Sequence, residues 1–159
     1  MMAEGDAASA FALPDLSESE VTFDYGNTAS PFYGKTTVMA FFASWCSHCQ
    51  TELPYFEKLY EKYSTDAKVK FVAVRTFRAR ETEDIHDFVK RFGLKFLIVS
   101  DTPKEAPEPS KVAKQYQVKG VPVVFIIDKT GKVRHLPNIS DFSKYVEEMS
   151  GLIDPLLNE

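Results

Sequence analysis

The sequence predicts an α/β protein, with a mixed central sheet carrying helices on both faces and a short β extension at its N-terminal side. Three observations carry this prediction. Apolar, β-branched and aromatic runs of strand length, among them Val38 to Ala43, Lys68 to Thr76 and Val123 to Ile127, alternate with segments of helical periodicity. The run from Thr36 to Ala43 lacks polar alternation, as a strand covered on both faces does. Asp128-Lys129-Thr130-Gly131 joins two strand-like runs as a hairpin signal, so part of the sheet is antiparallel.

The elements follow in order. Met1 to Ala10 are small, polar and acidic and are expected as a flexible tail, with residues 11–159 forming one domain that buries roughly two-thirds of its unfolded surface. Phe11 to Leu16 reads as an extended segment broken at Pro14, and Val21 to Tyr25 alternates as a half-buried strand does. Gly26, Pro31 and Gly34 mark loop before the central strand. Cys49, Leu53, Phe56, Tyr60 and Tyr63 then recur at spacings of three and four, which predicts a helix over 46–64 with a kink at Pro54. Lys68 to Thr76 is the next strand. Glu81 to Phe92 is a helix stopped by Gly93. Phe96 to Val99 is a short strand, Asp101 to Pro109 a loop with Pro103, Pro107 and Pro109, and Ser110 to Tyr116 a short helix capped by Ser110. Val123 to Ile127 and Lys132 to Leu136 form the hairpin. Asp141 caps a closing helix through Val146, Met149 and Leu152.

Composition excludes several functions. A hydrophobic fraction of 44% with 26% charged residues is that of a globular protein, and a net charge of −4 gives no footing for nucleic acid or a membrane surface. The longest apolar runs are strand-length and none spans a bilayer. The first residues lack the basic start and apolar core of an export signal, but a mature chain that has lost its leader or anchor would lack them too.

Chemistry concentrates at Trp45-Cys46-Ser47-His48-Cys49, which holds the only two cysteines, between a buried strand and a helix. A structural zinc site needs four ligands, and the remaining histidines, His86 and His135, stand singly. Covalent haem attachment needs His after the second cysteine, where Gln50 stands. A disulfide closing so short a loop removes little chain entropy, so a purely structural bond is disfavoured. A redox pair remains, with the helix N-terminus favouring a thiolate on the first cysteine.

Phe41-Phe42-Ala43-Ser44-Trp45-Cys46-Ser47-His48-Cys49, Gly120-Val121-Pro122, Phe125 to Asp128 and Gly131-Lys132-Val133 together resemble a thioredoxin-fold protein over about residues 11–152. Phe11-Ala12-Leu13-Pro14-Asp15-Leu16, Gly34-Lys35 and Cys46-x-x-Cys49-x-x-Glu52-Leu53-Pro54 are similar to the TlpA/ResA type of thiol-disulfide oxidoreductase within that superfamily. Cys46, at the helix end, is expected as the nucleophile and Cys49, one turn further in, as the resolving thiol. His48 is expected to tune the Cys46 thiolate, against the alternative of a solvated histidine. Glu52, three residues beyond Cys49, is expected as a proton relay, a role the resemblance supports. Ala40 stands where many thioredoxins carry a buried Asp, which leaves Glu52 as the nearest acid-base group. The resemblance implies a cis Val121-Pro122 bond facing the cysteines, against the alternative of an ordinary trans turn proline, and a cis proline presents the neighbouring backbone to a peptide. The neighbours of Trp45 place it as a partly exposed lid beside the pair, against the alternative of a core residue. Val123 departs from the threonine often found there. Arg75, Arg78 and Arg80 form a basic cluster at a strand end, read as a solvated loop in preference to a steering patch.

The expected function is exchange of disulfides with protein substrates, without cofactor or metal. The resemblance favours a reductase, of the kind that serves cytochrome c maturation or another assembly pathway outside the cytoplasm, whereas His48 leans toward a more oxidising couple. Expected partners are protein thiols or disulfides and an upstream electron donor or acceptor protein, around a monomer in a periplasmic or other extracytoplasmic compartment, with the cytoplasm as the alternative. A copper-handling assembly factor using both thiolates lacks any Met-rich or His-rich tract in its support. A thiol peroxidase lacks the Pro and Thr pattern upstream of a lone reactive Cys.

Overall fold

The structure, a computed structural model, describes residues 1–102 and 110–159. The chain opens with an antiparallel pair, β1 (Phe11–Pro14) and β2 (Glu20–Phe23). The main sheet contains β3 (Thr36–Phe42), β4 (Val69–Arg75), β5 (Leu97–Ser100), β6 (Val123–Ile127) and β7 (Val133–His135), in the order β5-β4-β3-β6-β7. β3, β4 and β5 are parallel, and β6 and β7 are antiparallel to their neighbours. The helices are α1 (Ser47–Tyr63), α2 (Ile85–Phe92), α3 (Lys111–Gln115) and α4 (Tyr145–Leu157). This is the mixed, two-faced sheet with an N-terminal β extension that the sequence predicts.

Every residue of β3 is buried because both faces are covered. The two-residue period of a strand divides its side chains between two cores. Val38, Ala40 and Phe42 pack with Cys49, Leu53 and Phe56 of α1, Phe88 of α2 and Met149 and Ile153 of α4. Met39 and Phe41 pack on the other side with Tyr116, which follows α3, and with Phe11 and Phe23 of the small hairpin. Burying each such aromatic or aliphatic side chain contributes about 1.5–3 kcal/mol, so the alternation in β3 alone commits the chain to layers on both sides.

Several expectations are corrected. Residues 1–10 are bound to the fold: the Met2 N–H donates to the Tyr116 carbonyl at 3.0 Å, Gly5 to Val133 at 2.8 Å and Ala8 to Gly131 at 2.8 Å. A polar composition hid this, because the bonds are made by backbone groups. α2 begins at Ile85, capped by Asp84, whose carboxylate accepts from the His86 and Asp87 N–H groups, and Glu81 lies outside it. Ser110 precedes α3 but its hydroxyl accepts from the Phe77 N–H at 3.3 Å, while Asp101 takes the Val112 and Ala113 N–H groups at 2.9 and 3.0 Å. A tertiary carboxylate thus replaces the local cap. Asp141 caps a 3₁₀ turn (Phe142–Lys144) that leads into α4, which buries Tyr145, Met149, Ile153 and Leu156 and sets Val146 and Leu152 half-buried against the same core. Pro54 lies inside α1, which runs continuously from Ser47 to Tyr63. The anticipated loop at Pro103, Pro107 and Pro109 lies outside the described residues.

Gly93 and Gly131 act as anticipated. Gly93 ends α2 at φ +65°, and Gly131 turns the β6–β7 hairpin at φ +90° with the Tyr25 ring where any Cβ would stand, 2.8 Å away.

Candidate active site

β6 runs antiparallel to β3, with Phe41 opposite Val123, so the segment entering β6 lies at the edge where the chain leaves β3. That register brings Val121 and Pro122 to the cysteines. Cys46 is the N-cap of α1, in extended conformation, and its sulfur accepts the Cys49 N–H at 3.2 Å. As a thiol it donates to the Val121 carbonyl at 3.7 Å. The Val121-Pro122 peptide is cis. Both cysteines are free thiols, Cys46 half-buried and Cys49 fully buried. Burial above all pushes the Cys49 thiol well above its ordinary range, and the hydrogen bond with Cys46 and the Glu52 charge add to it.

One flank of this seam is a cleft of about 270 Å³ lined by His48, Glu52, Val121, Pro122, Val124 and the 137–140 segment. Glu52 accepts a hydrogen bond from the Tyr145 hydroxyl at 3.1 Å. Its burial raises the carboxyl above the usual range, while the Tyr145 bond and the His48 charge hold it down in part. Tyr145 is itself buried, and its phenol is pushed up by burial and by Glu52. His48 is exposed, with its ring edge-on to Phe142 at 6.3 Å.

The other flank is a cleft of about 260 Å³ lined by Trp45, Cys46, Phe77, Arg80, Lys119, Gly120 and Val121. The Trp45 indole N–H donates to the Phe77 carbonyl at 2.8 Å, and the Arg80 guanidinium lies 4.8 Å from the ring centre. Behind it, Glu81 is gripped by Arg75 at 2.7 and 2.8 Å and accepts from the Ser44 hydroxyl at 3.4 Å. The Ser44 carbonyl in turn accepts from the Gln50 amide at 2.8 Å, tying the segment before the cysteines to α1.

A family model described as the AhpC/TSA family matches residues 5–136. The chain belongs to the AhpC/TSA family. Within it, the relatives it resembles are named thiol-disulfide oxidoreductases. It is 34% identical over 130 residues to the thiol-disulfide oxidoreductase ResA of Bacillus thuringiensis, covering 81% of this chain and 66% of that protein. It is 32% identical over 135 residues to ResA of Geobacillus kaustophilus, covering 85% and 69%. The chain therefore spans about two-thirds of the length of these curated relatives. Among solved structures, a Chlorobium tepidum protein assigned as thiol:disulfide interchange protein DsbE is 28% identical with a TM-score of 0.74, covering 99% of each chain. A secreted disulfide oxidoreductase of Mycobacterium tuberculosis shares the fold at 22% identity and a TM-score of 0.66, covering 92% of this chain and 96% of that one.

In this AhpC/TSA member the structure brings Cys46, Cys49, Val121, Pro122 and Trp45 to one edge, with Glu52 beside the buried thiol. His48 faces Phe142 and Glu52, and among the described residues it makes no hydrogen bond to the Cys46 sulfur. The basic cluster is not a solvated loop throughout: Arg75 and Arg78 are turned inward, and Arg80 covers Trp45. Sequence reading missed Tyr145, Phe77 and Lys119. Tyr145 was within reach, since Tyr145, Met149, Ile153 and Leu156 form a helical stripe. Nothing local to Phe77 or Lys119 marks either residue. Among the described residues no group of three or more His, Cys, Asp or Glu side chains converges as a metal set, and no helix is long and apolar enough to cross a membrane.

Proposed function

We propose that the chain is a protein thiol-disulfide oxidoreductase working as a reductant, with Cys46 as nucleophile, Cys49 as resolving thiol and Glu52 as the base that relieves Cys49 of its proton. One observation carries the division of labour. The accessible sulfur sits at a helix N-terminus with a backbone N–H on it, whereas the second is fully buried next to a half-buried carboxylate.

The Cys46 thiolate attacks one sulfur of a substrate disulfide, forming a mixed disulfide and expelling a substrate thiolate. Cys49 gives its proton to the Glu52 carboxylate and attacks the Cys46 sulfur, forming the Cys46–Cys49 disulfide and expelling the second substrate thiolate. Two electrons pass to the substrate, and a dithiol donor protein restores the pair. The Val121 carbonyl and Pro122 border the attacked bond, where an extended substrate segment pairs with backbone, and Trp45 covers one side of it. Burial above all raises the Glu52 carboxyl, and the Tyr145 hydrogen bond and then the His48 charge offset part of that rise.

We also place this activity outside the cytoplasm, in an assembly pathway such as cytochrome c maturation, with the protein acting as a monomer. The Mycobacterium tuberculosis protein of the same fold, itself secreted, supports the placement outside the cytoplasm. Equilibration with glutathione tests the direction: a potential near the thioredoxin value of about −270 mV fits a reductant, and one near about −120 mV makes the protein an oxidant.

A further inference from the structure

The arginines at and beyond the end of β4 divide by task. Arg75 gives its guanidinium to Glu81 and, at 3.1 Å, to Ser100. Arg78 reaches the Asp101 carbonyl at 3.2 Å and Glu81 at 3.6 Å. Arg80 is exposed and extends over Trp45, itself 37% exposed and anchored through its indole N–H to the Phe77 carbonyl. Phe77 is a buried residue held in the left-handed region at φ +51°, and its N–H is bonded to Ser110, so the carbonyl that orients Trp45 is set by a fixed turn. Lys119, also exposed, lines the same cleft beside Gly120 and Val121. The cleft beside the Cys46 sulfur thus carries two cations, and among its described lining residues there is no carboxylate. Among the described residues, the neighbouring acids are turned inward, Glu81 to Arg75 and Arg78, and Asp101 to Thr76 and the N-terminus of α3.

We propose that this cleft selects substrate segments that carry an acidic side chain next to the reactive disulfide. The inference rests on the exchange reading above and names its substrate class. A peptide laid along Val121 and Pro122 with its disulfide at Cys46 puts its flanking residue into the Trp45 cleft. There the indole offers apolar surface and Arg80 and Lys119 attract a carboxylate or repel a lysine. Both cations are hydrated, so the selection is modest, acts mainly on association, and weakens as salt screens it.

The test uses three disulfide-bridged peptides that differ only in the residue following one half-cystine: Glu, Gln or Lys. Reduction by the dithiol protein is followed through Trp45, the only tryptophan, with products assigned by mass spectrometry. The expected order of second-order rates is Glu, Gln, Lys, about threefold per step at low ionic strength and nearly level at about 0.5 M salt. An Arg80→Glu/Lys119→Glu variant is expected to invert the order, and Lys119→Glu alone, which leaves the Trp45 contact intact, to shrink it. Equal rates for the three peptides, with the Gln peptide still reduced, overturn the acidic-substrate proposal and leave the exchange reading standing. A Gln peptide that is not reduced at all overturns the exchange reading and this proposal with it.

Discussion

The seam between Cys46 and Val121 has two flanks of nearly equal volume and unlike chemistry, about 270 Å³ beside Glu52 and about 260 Å³ beside Trp45. Room therefore does not distinguish them. On the Glu52 side a carboxylate, a phenol and a thiol are withdrawn from water, and burial raises the pKa of all three. A proton there is worth moving, because the charged and neutral forms differ strongly in free energy. On the Trp45 side the facing charges, Arg80 and Lys119, remain in water. In the proposed reading they act on a partner at a distance and contribute little to proton transfer. Burial suits acid-base chemistry and exposure suits recognition, and Cys46 lies half-buried at the boundary between the two flanks.

The comparison breaks most visibly at the sulfurs. Cys46→Ser is expected to abolish exchange, while Cys49→Ser is expected to accumulate a protein–substrate mixed disulfide, seen as a higher-mass band without reductant. A Cys49→Ser protein that turned over like the parent would refute the division of labour between the thiols.

Next in size is Glu52→Gln, expected to slow resolution at neutral pH about a hundredfold and to remove the rising limb of the pH–rate profile that belongs to the carboxylate. An unchanged limb would assign the proton to another group. Stability moves the other way. A carboxyl whose folded pKa is raised above its unfolded value of about 4.3 favours folding fully below that value, and the contribution is lost as pH rises through the folded pKa. Glu52→Gln is therefore expected to melt higher than the parent at pH 7, with the gap closing toward pH 4. Thermal denaturation at both pH values checks the sign.

On the Trp45 side, Glu81→Ala leaves Arg75, only 11% exposed, without its carboxylate. The expected loss is about 3 kcal/mol in urea denaturation, with an altered Trp45 emission, since the turn after β4 carries both Phe77 and Arg80. An undisturbed emission would show that Trp45 is held without the ion pair. The smallest effect is Tyr145→Phe. It removes a hydrogen bond that favours the Glu52 carboxylate, so the Glu52 limb of the pH–rate profile is expected to move to higher pH while the protein stays folded. A limb that stays in place would make Tyr145 a packing residue alone.

Much of this was legible because it is written in local pattern. The unbroken apolar run of β3, the helical stripe after Cys49, the glycines at 93 and 131 and the hairpin residues 128–131 are constraints that neighbouring residues impose on one another, and strand period and helix period report them directly. Cys46, Cys49, Glu52 and Pro122 were legible for the same reason, through spacing and a resemblance carried by short motifs.

Other features depend on residues distant in sequence. Asp101 caps α3 in place of Ser110, and the backbone of residues 2–8 bonds to Tyr116 and the β7 hairpin. Arg75 is spent on Glu81 while Arg80 is left for Trp45. Tyr145 reaches Glu52 across 93 positions. The sequence by itself determined the sheet, its two-sided burial and the redox pair, because hydrophobic periodicity and helix-end chemistry act within a few residues. Only the tertiary structure decided which charges face the sulfurs and which are neutralised beneath them. Electrostatic partners and backbone hydrogen bonds are chosen by proximity in space, and here β3–β6 register and the turn after β4 set that proximity.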